Sequence, residues 1–455
     1  MTEHAPITRL AGTFTAEASF DDLPDAAVET VRLGFTDVIA VLLAGIGEPV
    51  TEAVRRYAEA FGGKPEAPAL LGQIRLPAEF AAMLDAVAAH AHDYDDYAYS
   101  NHPSAVLVPA ILAAAALKPA DGRRLATAYA VGYEIWGALM TSEPDHLHTK
   151  GWHPTAVFGP VGAAAAAAHI LGLEANDATM AIALAASHAG GVMSNFGSMT
   201  KPYHAGRAAE AGLRACRLVA AGMTARDDAL EADTGLMAAL SPSGQVDRTS
   251  NPEFGRRWLI TKAGLNIKKY PTVGASQRCI DAILELRQTT DIPLERIVSV
   301  RPRVSVKHAK VMPFDDPKRP AEAKFSLSFA CAAALRFGQV TLAELRQDRL
   351  DDPQLRALMA KVAVDAVEDY DPDYPVATPW DVVRIDLDDG RTLETPKIRR
   401  ASGHADSPLS VDGIWRKFQS CAGDAGLPES DARRVFDWCQ QIERQTDLSG
   451  LQVFS

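Results

Sequence analysis

Five cysteines in 455 residues, none of them in a Cys-x-x-Cys pair, leave no disulfide framework and no zinc-finger spacing. Cys216, Cys279, Cys331, Cys421 and Cys439 are scattered and odd in number, the pattern of reduced thiols in a cytoplasm. Basic residues are in deficit as well. The formal net charge is −12, the wrong sign for a protein that must displace counterions from nucleic acid. No long uninterrupted apolar run is present. The most apolar stretch, residues 156–171, is mostly alanine and contains Gly159, Pro160, Gly162 and His169, so it reads as a packed core helix and not a membrane span. The first residues, Met1-Thr2-Glu3-His4, lack a basic segment followed by an apolar one, and no secretory signal is legible. Phosphate-loop and dinucleotide glycine patterns are missing, which argues against nucleotide cofactors. A nucleophile elbow and a His-Glu-x-x-His pair are missing too, which argues against covalent catalysis and metal. With 47% hydrophobic and 23% charged residues, the chain is nonetheless an ordinary globular protein, long enough for two or three domains.

What is present is one phrase in two versions. His102-Pro103-Ser104-Ala105-Val106-Leu107-Val108-Pro109 returns as His153-Pro154-Thr155-Ala156-Val157-Phe158-Gly159-Pro160, and each runs into an alanine-rich stretch. Lys201-Pro202 repeats the logic with another cation. Proline is favoured at the first helical position, and the residue before it is pushed out of the α region. Each phrase is therefore expected to hold His, His or Lys just outside a helix N-terminus, where free N–H groups and the positive dipole end favour anions. Those dipole ends should also keep the imidazoles neutral, as a general base requires.

Up to about residue 266 the pattern reads as almost entirely helical, with helices over 24–45, 51–61, 77–92, 125–140 and 175–188 besides the three proline-started ones. After that the character changes. Residues 296–306 alternate as a strand, with Pro302 pointing to an edge or a bulge, and residues 382–393 form a hairpin around Asp388-Asp389-Gly390. Helices are expected at 275–286 and 321–337, and two more at 411–425 and 429–445. The fold expected is mainly α: a large helical domain from residues 1–266 and 402–455, with an inserted smaller α+β domain over residues 267–401.

The acidic run His90-Ala91-His92-Asp93-Tyr94-Asp95-Asp96-Tyr97 precedes the first His-Pro. His90 and His92 are two apart and would not face one another on a helix, so the run is read without a metal: Asp93 and Tyr97 over the site, Asp95 and Asp96 in structural caps or pairs. Lys201 suits a point-charge clamp on a carboxylate.

These segments together resemble the MmgE/PrpD family. The resemblance rests on His-Asp-Tyr-Asp-Asp before His102-Pro103-Ser104, on Gly151-Trp152-His153-Pro154-Thr155, on Met199-Thr200-Lys201-Pro202-Tyr203-His204-Ala205-Gly206-Arg207 and on Lys268-Lys269-Tyr270-Pro271. It implies a helical domain from both chain ends, an inserted lid, a cleft between them, a homodimer and no metal or organic cofactor. It also implies that Asp93, His102, His153, Lys201 and Lys268 line the cleft, with Tyr97, His204 and Phe329 as further substrate-binding candidates. The family includes 2-methylcitrate dehydratase, cis-aconitate decarboxylase and iminodisuccinate epimerase. This sequence departs from the decarboxylase pattern at Tyr97 and at Phe329, where that branch carries a site tyrosine. Lys269 replaces a more usual proline, so either Lys268 or Lys269 is a candidate for the cleft.

The sequence thus points first to a cofactor-free lyase on a small di- or tricarboxylate, a dehydratase of the 2-methylcitrate type. His102 and His153 would serve as acid and base, and Lys201 and Lys268 as clamps for the carboxylates. An epimerase on an aspartate- or succinate-like substrate, or a decarboxylase of cis-aconitate, uses the same groups. A binding protein on this scaffold would need a degraded site. The lid is expected to close about crossings near Asn266 and Ser402, carrying Lys268 onto substrate already held by Lys201.

Overall fold

The computed structural model describes residues 6–454, and the reading of Met1-Thr2-Glu3-His4 falls outside them. The described chain is mainly helical, with one small mixed sheet and one two-stranded hairpin. Its centre is the helix Pro154–Leu171, which packs against Pro103–Leu117, Gly122–Ser142, Ala175–Ala186 and Thr200–Ala220. Alanine buries little surface per residue, but it lets backbones approach. A Cβ on Gly162 would stand 3.1 Å from the carbonyl oxygen of Gly132 on the neighbouring helix, and one on Gly132 would stand 2.8 Å from that of Gly162. Pro154–Leu171 is long and apolar enough to cross a membrane by composition, yet it is buried inside the protein.

Buried apolar side chains fall into two clusters. One draws on residues 7–267 and 414–451. The other draws on residues 270–387 and surrounds the sheet. That sheet has the order β4-β3-β5-β6, with β3 Ile297–Ser305, β4 Asp365–Val367, β5 Val382–Leu387 and β6 Thr392–Glu394. Strand β3 pairs antiparallel with β5 (Val300 opposite Ile385) and parallel with β4.

Four expectations are corrected here. The first 266 residues are not all helix: β1 Ala67–Ala69 and β2 Ile74–Leu76 form a hairpin. Residues 221–258, rich in Asp, Gly and Ser, are mostly turns around the short helix Leu236–Leu240. Pro302 does not put β3 at an edge. The strand is interior, its irregularity lies at Ile297/Ser299, and pairing with β4 starts at Arg303, just beyond the residue that has no N–H to donate. The helix expected over 321–337 is split into Pro320–Ala323 and Leu327–Phe337, because the Ser326 hydroxyl accepts the Phe329 N–H and caps a new start. Finally, Lys201 is not outside its helix. Thr200–Ala220 begins one residue earlier, which Pro202 tolerates because the first N–H groups of a helix have no intrahelical partner.

Candidate active site

The helix Ala78–His90 stops at His90, and the chain turns sharply into the loop that carries the acidic run. Asp93 has a left-handed backbone (φ +52°), a conformation that aspartate tolerates better than most residues. Tyr99 and Ser100 are left-handed as well (φ +50° and +59°), and the loop then enters the His102-Pro103 helix start. These turns drive Asp93, Asp95 and Asp96 into the interior, where all three are buried.

Asp93 meets both clamp lysines. The Lys201 ammonium lies 2.5 Å from Oδ1, and the Lys268 ammonium lies 3.1 Å from Oδ2 while also donating to the Asp93 carbonyl. Burial alone would raise the Asp93 carboxyl, but Lys201 and then Lys268 overcome it and hold the group well below the usual carboxylate range. Burial in turn lowers the Lys201 ammonium, against the pull of Asp93. Lys201 also stands 5.2 Å from the Phe196 ring centre and 5.5 Å from that of Phe325.

Asp95 is no bystander. It accepts from His90 Nδ1 at 2.8 Å, and its other oxygen lies 2.9 Å from His102 Nδ1, whose N–H donates to the Asp96 carbonyl at 3.0 Å. A carboxylate and a backbone carbonyl only accept, so both rings carry the proton on Nδ1 and keep a lone pair on Nε2. His90 spends its lone pair on the Lys201 ammonium, 2.8 Å away. His102 Nε2 is left 3.7 Å from Asp93 Oδ1, and the ring lines the cavity. His153, at the other His-Pro helix start, has Nδ1 3.0 Å from His204 Nδ1, so one ring donates to the other. The His102 and His153 ring centres are 6.5 Å apart. All these imidazoles are pushed towards neutrality: His90 down to about 3, His204 and His148 to about 4, His102 and His153 lowered as well. Burial is the largest cause in each, and Lys201 adds to it. Helix dipoles are not needed to account for the neutral rings.

The cavity these groups line is about 420 Å³. Its walls come from both sides of the chain: Asp93, Tyr97, His102, His153 and Lys201 from the segments before residue 266, and Lys268, Arg278, His308, Phe325 and Tyr374 from those after. Lys268 is buried and faces the cavity, whereas Lys269 is half exposed and pairs with Asp281 at 3.3 Å. The register is fixed by the crossing itself. Ile267 N–H donates to the Gly403 carbonyl at 2.7 Å, and Asn266 exchanges two backbone hydrogen bonds with Tyr97. Tyr97 is half-buried in the cavity wall with its ring against Gly274.

Phe329 is corrected. It is fully buried in the second apolar cluster and does not line the cavity, because the Leu327–Phe337 helix turns that position inward. Phe325, in the break before that helix, is the aromatic that reaches the site. His204 touches His153 from behind and does not line the cavity.

The sequence reading passed over His90 and gave Asp95 a purely structural part. Helical spacing was the wrong test for His90 and His92, since the helix ends at His90. His92 turns away to the Ala44 carbonyl at 3.1 Å. His90, Asp93, Asp95 and His102 bring donor atoms within 4.8 Å of one another, a grouping that could hold a cation. The Lys201 ammonium already occupies that role, within hydrogen-bond distance of both Asp93 and His90.

Two family profiles match this chain: the MmgE/PrpD N-terminal domain over residues 9–249 and the MmgE/PrpD C-terminal domain over residues 270–442. Among curated proteins it is similar to cis-aconitate decarboxylase of Mus musculus, 29% identical over 423 residues that span 88% of this chain and 83% of that one. It is 28% identical over 414 residues to the Homo sapiens enzyme of the same name, covering 88% and 84%. It is 26% identical over 461 residues to that of Aspergillus terreus, covering 95% and 92%. With both profiles matched in order across nearly its whole length, around a cavity that joins the two matched regions, the chain belongs to the MmgE/PrpD family.

Proposed function

We propose that this protein is a lyase of small polycarboxylates, and that its reaction is loss of carbon dioxide from a tricarboxylate of the cis-aconitate kind. The observation that carries the reading is the pair of buried ammonium groups, Lys201 and Lys268, beside imidazoles with free ring nitrogens in one cavity. In such a substrate the carboxylate to be lost sits one carbon from a double bond. The bond to that carboxylate breaks, its electron pair becomes a new double bond, and the old one delivers a pair to the carbon next to a second carboxylate. That carbon takes up one proton for each carbon dioxide released. The ammonium groups stabilise the charge developing on the neighbouring carboxylate, and a low-dielectric site strengthens them. A substrate with three negative charges raises the proton affinity of the imidazoles it touches. His102 or His153, neutral beforehand, is then able to carry the proton to carbon.

The objection from Phe329 loses its force, since that side chain lies in the core away from the cavity. The likeness to decarboxylases from mouse, human and fungus supports the same order of readings. Dehydration of a hydroxy tricarboxylate is the second reading, favoured by two imidazoles from separate helix starts that suit removal of a proton and protonation of a leaving hydroxyl. On either reading we take the segment around the sheet as a lid that closes Lys268 onto bound substrate.

The test is incubation of the protein in deuterated water with cis-aconitate, 2-methylcitrate, citrate and aspartate, followed by mass spectrometry. The proposal expects carbon dioxide release and one carbon-bound deuterium per turnover. Loss of water instead would move the assignment to a dehydratase, deuterium exchange without mass loss to an epimerase, and tight binding with no product would overturn a lyase.

A further inference from the structure

A polar group 323 residues along the chain from Tyr94 is bonded directly to the site loop. Lys417 lies on the C-terminal helix Val411–Asp424, which packs on the helix Asp25–Gly45 that carries Asp37. Both side chains are buried, and the Lys417 ammonium lies 2.6 Å from Asp37 Oδ1. The same ammonium donates to the Tyr94 carbonyl at 2.7 Å and sits 4.0 Å from the centre of the Tyr94 ring. Asp37 Oδ2 accepts the Asp96 N–H at 2.8 Å. The Tyr94 carbonyl and the Asp96 N–H belong to the two peptide groups that flank Asp95. One ion pair therefore grips the backbone on both sides of the residue whose carboxylate holds His90 and His102.

We propose that Lys417 and Asp37 are positioning residues for the acid–base machinery, acting through Asp95. A buried ion pair is a poor device for stability, because desolvation of both charges offsets their attraction. Holding a strained loop in one register is a use that apolar packing would serve badly, since both flanking peptide groups need a polar partner once buried. Asp96 extends the hold: its side chain accepts from the hydroxyl of Ser104, the second residue of the helix after His102, at 2.8 Å, and its carbonyl accepts from His102 Nδ1 at 3.0 Å. The loop, the helix start and the C-terminal helix are thus fixed to one another around Asp95.

The inference rests on the polycarboxylate-lyase reading only for its kinetic consequence, and the experiment separates the two. Lys417→Met alone leaves Asp37 buried without its cation and is open to unfolding. The double variant Asp37→Asn/Lys417→Met removes both charges while keeping an acceptor for the Asp96 N–H. It is expected to fold with a thermal midpoint lowered only by the loss of the Tyr94 carbonyl's donor, while turnover falls by about 10²-fold, the scale of a misplacement near 1 Å, with KM changed less than about threefold. Nitrogen-15 spectra of the imidazoles give a readout that needs no substrate: the Nδ1–H tautomer of His90 and His102, fixed in the wild type, becomes mixed in the double variant. Unchanged spectra and turnover in a folded double variant would overturn the proposal. So would a double variant that cannot fold, since the pair would then serve the core and not the loop. Failure of the wild type to turn over any polycarboxylate would instead count against the proposed reaction and leave the tautomer result to decide this one.

Discussion

The Lys201 ammonium lies 2.5 Å from the Asp93 carboxylate with both side chains buried, so the clamp is already engaged with a protein carboxylate before any substrate carboxylate arrives. Asp93 thus tunes a cation that it must share. Replacing Lys201 by Met leaves Asp93 with Lys268 alone. The stability cost should lie at or below the lower end of the about 3–5 kcal/mol that an orphaned buried charge carries. Turnover should fall by at least about 10²-fold, the loss usual when one donor to a developing oxyanion is removed. The double variant Asp93→Asn/Lys201→Met should melt lower than Lys201→Met, since the buried Lys268 ammonium then loses its carboxylate partner, and it should regain neither stability nor turnover. Recovery of both would mean that the pair serves only the fold.

Stability should fall as the pH drops from about 6.5 towards 4.5. His90, His92 and His308 are pushed down to about 3, and His148 and His204 to about 4, by burial above all. The folded state keeps these rings neutral where the unfolded chain, titrating near 6.5, takes up a proton. Each therefore withdraws about 1.4 kcal/mol per pH unit within that window. Asp85 and Glu134, raised by burial to about 7, and Asp381, raised to about 6, act in the opposite sense, losing stability as pH rises from about 4 through those values. The imidazoles outnumber them, so the thermal midpoint is expected to be highest near pH 6.5. A midpoint that rises steadily on acidification to pH 4.5 would contradict the buried neutral rings.

How legible each part of the site was depends on how local its geometry is. His102 and His153 follow from a single dipeptide, because proline at a helix start fixes the residue before it. Asp95 holding His90 and His102 depends instead on a left-handed turn at Asp93 that no periodicity encodes. Lys268 and Lys269 were interchangeable in sequence, since neighbours in extended chain face opposite ways. A contact to Gly403, more than a hundred residues away, chooses between them. The helical and α+β regions were visible from their periodicities, whereas the break that brings Phe325 and not Phe329 to the site rests on one serine hydroxyl.

Lys268→Ala should lower turnover and apparent substrate affinity together, with Lys269→Ala close to wild type in both. Because Lys268 is buried, its loss should also cost more than the about 0.5 kcal/mol expected of an exposed lysine. Thermal melting beside steady-state kinetics checks both parts. Equal damage from the two substitutions would show that the crossing does not set the register.

Gly403→Ala tests the crossing from its other strand. A Cβ there would stand 2.0 Å from the Ile267 carbonyl oxygen, and φ is +91°, a region that side chains strain to occupy. The variant should lose about 1–3 kcal/mol and shift Lys268 enough to raise KM. An unchanged melting midpoint with normal kinetics would mean that the Ile267–Gly403 contact is not formed in solution.

Phe329→Tyr adds back the hydroxyl that the decarboxylase branch is expected to carry at that position. If the side chain lies in the apolar cluster, the new hydroxyl meets only carbon. It should cost about 1–3 kcal/mol as a buried donor without a partner, while product and turnover stay as they were. Phe325→Ala should do the reverse, removing an aromatic face from Lys201 and lowering turnover with a smaller effect on melting than a core truncation. The comparison is decisive for the proposed reaction. A Phe329→Tyr variant that gains decarboxylation at least tenfold would put position 329 in the cavity and restore the sequence argument against cis-aconitate as the natural substrate. A variant that only melts earlier leaves the chemistry to Lys201, Lys268 and the two His-Pro imidazoles.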